Sequence, residues 1–391
     1  MAVDFSIYKL AKDIWPCVHE NSNHYFNIGG KSAFCDDSDL DGNDKLIYKF
    51  LDAARTGVNV RVLYHNPGSG SYAGLYKSDE IWSYLKGLNR PANFQIHRAD
   101  WDSGSTGGQM HNKFLLASHT LSAEGCVARE SSFVTTANVD YFKADGVQNH
   151  HDWYQSGVLV KENKKLRAAY TNYFEVLWAH TVSPGDASFG RDLATGTKRH
   201  NDFIEHMQQN DLNWKSSDGK LQAWFYPVPD QVWDGDRNAV AHFVTRMAND
   251  PRTSGTRHVQ VNMYHLKGGD FVRALFSALA EPHATELYAR VAYSTDTASK
   301  GSSTIFKEEG LDDVEGGDIA IQKLTRKTHC KNYNFDYTNA DGEREYVTIT
   351  GSTNGKDDAY ETKANSQLVI VEGTGGKAYQ AHWDMAERVF P

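Results

Sequence analysis

Apolar positions along the chain recur with two periods, and the switches between them mark the elements. In NDKLIYKFLDAARTGVNVRVLYH, from Asn43, the residues Leu46, Ile47, Phe50, Leu51 and Ala54 share one helical face. Gly57 stops that helix, and Val58, Val60 and Val62 then alternate as in a strand. A similar unit follows later, with a strand over Val259 to Tyr264, a helix from Asp270 and a strand over Glu286 to Tyr293. Strand-helix-strand units predict a largely parallel or mixed sheet covered by helices. Two amphipathic helical stretches echo each other, AYTNYFE at Ala169 to Glu175 and AYQAHWD at Ala378 to Asp384. The polar, Gly/Ser/Thr-rich TVSPGDASFGRDLATGTKRHND between them suits a connector. The expected organisation is therefore two halves, 1–185 and 215–391, joined by a connector over 186–214.

Composition narrows the picture. A chain of 391 residues with 40% hydrophobic content is long for one core, which favours a duplicated architecture. No run of about 18 apolar residues is present and no charged-then-apolar leader follows Met1, so a soluble globular form is expected, from which a leader could have been removed. The formal charge of −9 argues against a protein that coats nucleic acid, while leaving room for a locally basic cleft. Cys17, Cys35, Cys126 and Cys330 form no CxxC pair and no ligand spacing with histidine, so no structural metal is expected. A Cys17–Cys35 disulfide and four free thiols fit the spacing equally well.

Candidate chemistry begins with a repeated pair. With 17 histidines and 24 lysines, chance supplies 17 × 24 / 391, or about one, His-x-Lys. The chain has three, at His111–Lys113, His265–Lys267 and His329–Lys331. Ser/Thr-x-Asn occurs twice, at Thr136–Asn138 and Ser352–Asn354, and closes the first and third pairs at 27 and 25 residues; His265 has no such partner and reads as a decoy. Side chains two apart on a strand share a face, so two such hairpins about a pseudo-twofold axis would line one pocket with two His, two Lys and two Asn. That set suits a phosphodiester. Lysine and asparagine donors stabilise the charge of a five-coordinate transition state, one imidazole attacks phosphorus and the other protonates the leaving oxygen, with no metal or other cofactor.

These residues resemble the phospholipase D superfamily, whose signature is HxKxxxxD followed by GSxN, once in each half. The second copy has His329, Lys331, Asp336, Gly351, Ser352 and Asn354; the first departs from the pattern with Ser118 for Asp and Thr135-Thr136-Ala137-Asn138 for GSxN. MHNKFLLAS followed by T-x-A-N is similar to the variant of exported bacterial members, which implies a secreted or periplasmic protein. The resemblance implies an α/β fold of two similar α/β/α half-domains related by pseudo-twofold symmetry, with the active site at their interface and a phosphohistidine intermediate. It also implies a carboxylate downstream of GSxN that orients one imidazole. Gln367 occupies that place in the second half, whereas Asp152 opens a comparable strand in the first. A carboxylate stabilises an imidazolium where an amide only orients it, so His111, backed by Asp152, is the expected nucleophile and His329, backed by Gln367, the acid.

Plainer roles compete at several positions. Asp336 and Ser118 read as strand-end hydrogen-bonding residues by about two to one over catalysis. His150 and His151 face opposite ways on a strand and make a poor metal pair. DDSDLDGND, residues 36–44, lacks the bidentate Glu of a calcium loop, since Tyr48 stands there, and reads as a solvated turn. Cys330 should point away from the His329–Lys331 pair and pack as an apolar residue.

Three functions fit, of two classes. The favoured one is a phosphodiesterase cleaving or transferring phospholipid head groups, its partner a phospholipid at a membrane or micelle surface, with no nucleic acid and no obligate protein partner. An aromatic content of 12% supplies loops able to meet lipid, such as NPGSGSYAGLYKSDEIWSYL and FYPVPDQVWDGD. The second is a metal-independent nuclease, which the net acidity disfavours. The third is a decayed binding module, against which stands the survival of both His-x-Lys and both Ser/Thr-x-Asn pairs.

Overall fold

The computed structural model describes residues 2–9, 46–65, 91–101, 108–122, 125–127, 130–136, 155–183, 193–249, 257–267, 269–280, 287–295, 302–309, 318–324, 328–339 and 341–388. The chain divides into two compact units. The first is Met1–Phe133, Asn138–His151 and Leu159–Glu205; the second is Val134–Ala137, Asp152–Val158 and His206–Pro391.

In the first unit a central strand β1 (Ala2–Lys9) runs parallel to β2 (Asn59–His65), which runs parallel to β3 (Phe94–Ala99). On its other side β1 is antiparallel to β4 (Lys113–Ala117), and the small pair β5 (Thr120–Ser122) and β6 (Gly125–Val127) lies apart. With β7 (Ser131–Thr135) and β8 (Gly157–Lys161) the order is β3-β2-β1-β4-β7-β8. The helices are α1 (Leu46–Arg55), α2 (Lys164–Ala179) and α3 (Leu193–Gln209). Asn163 caps α2, its side chain accepting the Leu166 N–H at 2.9 Å, and the helix buries Leu166, Tyr170, Tyr173, Phe174 and Leu177 at helical spacing.

The second unit repeats this plan. Strand β11 (Arg257–His265) runs parallel to β12 (Leu287–Thr295), which runs parallel to β13 (Asp318–Lys323). It is antiparallel to β14 (Lys331–Thr338), followed by β15 (Arg344–Gly351) and β16 (Asn365–Glu372). Two strands, β9 (Trp214–Lys215) and β10 (Leu221–Tyr226), extend the sheet to β13-β12-β11-β14-β15-β16-β10-β9. The helices are α4 (Ala239–Asn249), α5 (Asp270–Ala280), α6 (Ser302–Glu308), α7 (Asp357–Glu361) and α8 (Lys377–Glu387). Alternation sorts the sheet's faces. Val259, Val261, Met263, Val291, Tyr333, Phe335 and Ile349 join one apolar core with Phe243, Phe271 and Phe276 of the helices. The opposite residues Gln260, Asn262, Asn332, Asn334, Thr348 and Thr350 are polar yet buried. Part of that face is cross-linked: Asn334 donates to Gln260 at 3.0 Å, and Asn332 Oδ1 accepts from both Ser156 and Thr350 at 2.8 Å.

The two periodic segments form the expected elements, and both helical echoes lie inside helices, α2 and α8. The polar stretch read as a connector is largely helix α3. Its buried face is Gly196, His200, Phe203 and Met207, at helical spacing but half of it without an apolar side chain, so hydropathy alone scores it as broken; Trp101 packs on it at 4.8 Å from Phe203 and 5.1 Å from His200. Gly196 permits the close approach, since a Cβ there would lie 2.3 Å from the Asp100 carbonyl oxygen. Strand β1 was not foreseen. The acidic run 36–44, Cys17, Cys35, the loop 66–85, His150 and His151 lie outside the described residues.

Phe203→Ala is expected to cost about 3 kcal/mol by removing a fully buried ring, whereas Gln208→Ala at an exposed position of the same helix stays within about 0.5 kcal/mol. Urea denaturation of both variants checks this, and equal midpoints would show that α3 is not packed as described.

Candidate active site

The two His-x-Lys copies are built alike. In each, the lysine opens the strand that pairs antiparallel with the central strand: Lys113 stands opposite Ile7, and Lys331 opposite Met263. The histidine two residues earlier precedes the strand, and its carbonyl faces the lysine side chain. The lysine takes it: Lys113 Nζ donates to the His111 carbonyl at 2.8 Å, and Lys331 Nζ to the His329 carbonyl at 2.9 Å. Both lysines are fully buried, with His111 at 6% and His329 at 3% exposure. A buried ammonium is costly unless its donors are met, and this hook meets one of them.

The residues between and after each pair anchor it. In the first unit Asn112 donates to the Tyr173 hydroxyl at 3.2 Å, and Phe114 packs edge-on against Tyr170 at 5.1 Å, so α2 holds the motif strand. In the second unit the Cys330 N–H donates to Thr328 Oγ1 at 3.1 Å, and the Tyr264 N–H to the Cys330 carbonyl at 2.8 Å. The Cys330 thiol is fully buried and burial pushes its pKa up to about 11, which makes it inert, in keeping with an apolar-like role. Lys331 Nζ lies 3.4 Å from both ring nitrogens of His329 and 3.4 Å from the Thr136 carbonyl oxygen. Thr136 is itself fixed, its hydroxyl exchanging hydrogen bonds with the Ser156 backbone at 2.9 and 3.2 Å.

The turn after β15 carries the second Ser-x-Asn. Ser352 Oγ donates to Asn365 Oδ1 at 2.9 Å and accepts the Ser366 N–H at 3.0 Å, clasping the turn to β16. Gly351 has φ +152°, and a Cβ there would stand 2.2 Å from the Ser366 carbonyl oxygen, so only glycine fits. Asn354 is 4% exposed, and its Oδ1 has no hydrogen-bond partner among the described residues.

No family model and no curated protein matches the chain. Solved structures do. Phosphatidylserine synthase from Haemophilus influenzae Rd KW20 is similar over 100% of this chain and 81% of its own, at TM-score 0.59 and 9% identity. The chain shares the fold of that synthase. Weaker likenesses are to polyphosphate kinase from Porphyromonas gingivalis and to yeast tyrosyl-DNA phosphodiesterase. The first has TM-score 0.48 and 11% identity, over 100% of this chain and 46% of that one; the second has 0.40 and 8%, over 94% and 82%.

Within this fold some expected residues stand away from the pair. Asp336 does not join Lys331: five residues along β14, about 17 Å at strand rise, it ion-pairs with Arg344 and meets His258 Nδ1 at 2.9 Å. The plainer role expected for it is the one it has. Ser118 likewise contacts its neighbour His119 at 2.8 Å. Gln367 does not orient His329. It pairs with Gly351 across the sheet, is fully buried, and accepts the Tyr226 hydroxyl at 2.6 Å. Asn138 and Asp152 lie outside the described residues.

Other residues at the second motif were missed. The Tyr264 ring lies 4.9 Å from the His329 ring and 5.7 Å from Lys331 Nζ, a cation–π geometry. His265–Lys267, set aside as a decoy, stands against the Ser-x-Asn turn: the Gly355 N–H donates to the His265 carbonyl and the Lys267 N–H to the Gly355 carbonyl, both at 3.0 Å. The signal was its place at the end of the central strand, which spacing to Asn cannot register.

Gly351→Ala is expected to lose about 2 kcal/mol or more, through forced backbone strain against Ser366. Denaturant titration checks it against Gly373→Ala, which has open space around its Cβ position; equal stabilities would contradict the tight turn.

Proposed function

We propose that the chain is a phosphodiesterase of the phospholipase D type that acts on phospholipid head groups. The observation that supports this best is the hook common to both motif copies, which ties a buried ammonium to the backbone of a nearly buried histidine twice in one chain and, in the second copy, sets it 3.4 Å from both ring nitrogens. Histidine beside a fixed cation is what attack on an anionic phosphodiester requires: the cation offsets the negative charge of the ester and of the five-coordinate transition state. In this reading His111 attacks phosphorus, forming a P–N bond as the P–O bond to the head group breaks, and His329 gives its proton to the leaving oxygen. His329 then takes a proton from water, whose oxygen displaces His111; an alcohol in place of water gives transfer. Lys113, Lys331, Asn138 and Asn354 hold the non-bridging oxygens. Asp152 stays the proposed partner of His111, and with Gln367 committed to Tyr226 the asymmetry favours His111 as nucleophile.

Phospholipid is the proposed substrate, met at a membrane or micelle surface by an exported protein. No helix among the described residues is long and apolar enough to cross a membrane. Head-group release from phosphatidylcholine liposomes is expected to persist in chelator and to fall by about 10³-fold or more in His329→Ala and in His111→Ala. Plasmid nicking without lipid turnover would make the substrate nucleic acid. Acid-labile phosphate trapped on the enzyme is expected to map to His111, and phosphate on His329 would reverse the two roles.

A further inference from the structure

At the end of the second sheet away from Lys331, the strand register sets four side chains in one row. Tyr288 of β12 stands opposite His258 of β11, His258 opposite Asp336 of β14, and Asp336 opposite Tyr346 of β15. Directly opposite residues share a face, so the row runs across three strand spacings, about 14 Å, on one side of the sheet. Helix α8 brings Tyr379 and Trp383, an i, i+4 pair, to the same place. Gln260, two residues along β11 from His258, ties the helix down, its amide donating to the Trp383 carbonyl at 3.4 Å and to Glu387 at 3.2 Å.

These side chains line a cleft of about 400 Å³, a volume within the range of small-molecule sites, about 300–1,000 Å³. Its rings form a continuous wall: Tyr346 lies 5.1 Å from Tyr379, Tyr379 5.5 Å from Trp383, and Trp383 6.0 Å from Tyr288. Tyr288, Tyr346 and Trp383 are only half-buried, although rings that served packing alone would close up and shed that wet apolar area.

Charge around the wall is already matched. Asp336 is ion-paired with Arg344, and Arg290, 4.1 Å from the centre of the Tyr288 ring, pairs with Asp318 at 2.8 Å. Glu372 caps α8, and Glu387 receives Gln260. A cationic ligand would find the Tyr288 face and the Asp336 carboxylate engaged, and an anion would find both guanidiniums engaged. What the cleft offers is neutral hydrogen bonding. His258 Nδ1 lies 2.9 Å from Asp336 and 3.1 Å from Arg344, which fixes the ring and leaves Nε2 without a partner among the described residues. The Tyr346 and Tyr379 hydroxyls also have none among the described residues. A flat apolar wall edged by single donors and acceptors complements a sugar ring, whose C–H face packs on aromatic rings while its hydroxyls both donate and accept.

We infer that this cleft binds a neutral sugar ring, at a site separate from the His329–Lys331 pair. The sugar's C–H face lies on the Tyr379–Trp383 wall, and its hydroxyls reach His258 Nε2 and the tyrosine hydroxyls. Asp336, five residues along β14 from the lysine of its motif, serves here as a positioning residue for His258.

The test is titration calorimetry of the full chain with cellotriose, maltotriose, mannotriose and triacetylchitotriose, with purine as a flat ring lacking hydroxyls and choline as a cation. At least one trisaccharide is expected to bind with a Kd of about 1 mM or tighter, and more tightly than purine or choline. Trp383→Ala is expected to weaken that binding about tenfold or more. Tyr346→Phe keeps the ring and the wild-type melting curve and is expected to weaken it about threefold or more, and it decides if the Trp383 variant does not fold. His329→Ala is expected to bind the sugar as the wild type does, so the site stands or falls apart from the phosphodiesterase reading. The inference is overturned if no trisaccharide binds at about 10 mM, or if purine or choline binds more tightly than every sugar. Affinity unchanged in a folded Trp383→Ala, or in Tyr346→Phe where the first does not fold, overturns it as well. Sugar binding lost in His329→Ala would place the sugar at the motif instead and overturn the separate site.

Discussion

Keeping a lysine ammonium out of water at the start of a strand is the constraint around which each unit is arranged. Transfer of an isolated ammonium into a protein interior costs several kcal/mol even after relaxation, so it persists only where fixed oxygens or rings receive it. Lys113 and Lys331 solve this in the same way, by turning back to the carbonyl of the histidine two residues earlier. The solution has structural consequences. The histidine must lie just outside the ladder, because a carbonyl already bonded across the sheet would be a poorer acceptor. The strand must begin at the lysine, and the residue between the two must be tied down separately. Asn112 is tied to Tyr173 and Cys330 to Thr328, different side chains serving one need.

The sheets supply the rigidity that this demands. In both units the motif strand lies beside a central strand whose other neighbour is parallel, and the same order of strands continues outward on each side. In the second unit an apolar face packed by α4, α5 and α6 fixes the register, because a slip of one residue would turn Tyr333, Phe335 and Tyr337 out of the core and Asn332, Asn334 and Asp336 into it. Register therefore sets which side chains can reach the Lys331 end of the sheet. Asp336 is excluded by distance and Gln367 by its commitment to Tyr226, while Tyr264 is included because β11 ends beside Cys330.

Much of this was legible in the residues. Helical and alternating periods located α1, β2, β11, α5 and β12 because each buries one clean face, and the coupling of His-x-Lys to a distant Ser/Thr-x-Asn separated motif from chance. Failures came where the buried face is not apolar. Helix α3 packs through His200 and a glycine as well as Phe203, so hydropathy read it as a connector. His265 was dismissed because its partner is a backbone turn at Gly355 rather than an asparagine side chain, and backbone partners leave no mark in composition. Gln367 was assigned by homologous position, yet a tyrosine hydroxyl 141 residues earlier decides where its amide points. Long-range partners of this kind follow from sheet order, which local spacing does not encode.

The central claim is that phosphorus is passed through a histidine rather than attacked directly by water. The stereochemical course at phosphorus reports on it without reference to any mutant. With a phosphodiester analogue made chiral by one sulfur and turned over in ¹⁸O-labelled water or into an acceptor alcohol, two successive in-line displacements predict net retention of configuration. Net inversion would mean a single displacement and would contradict the account.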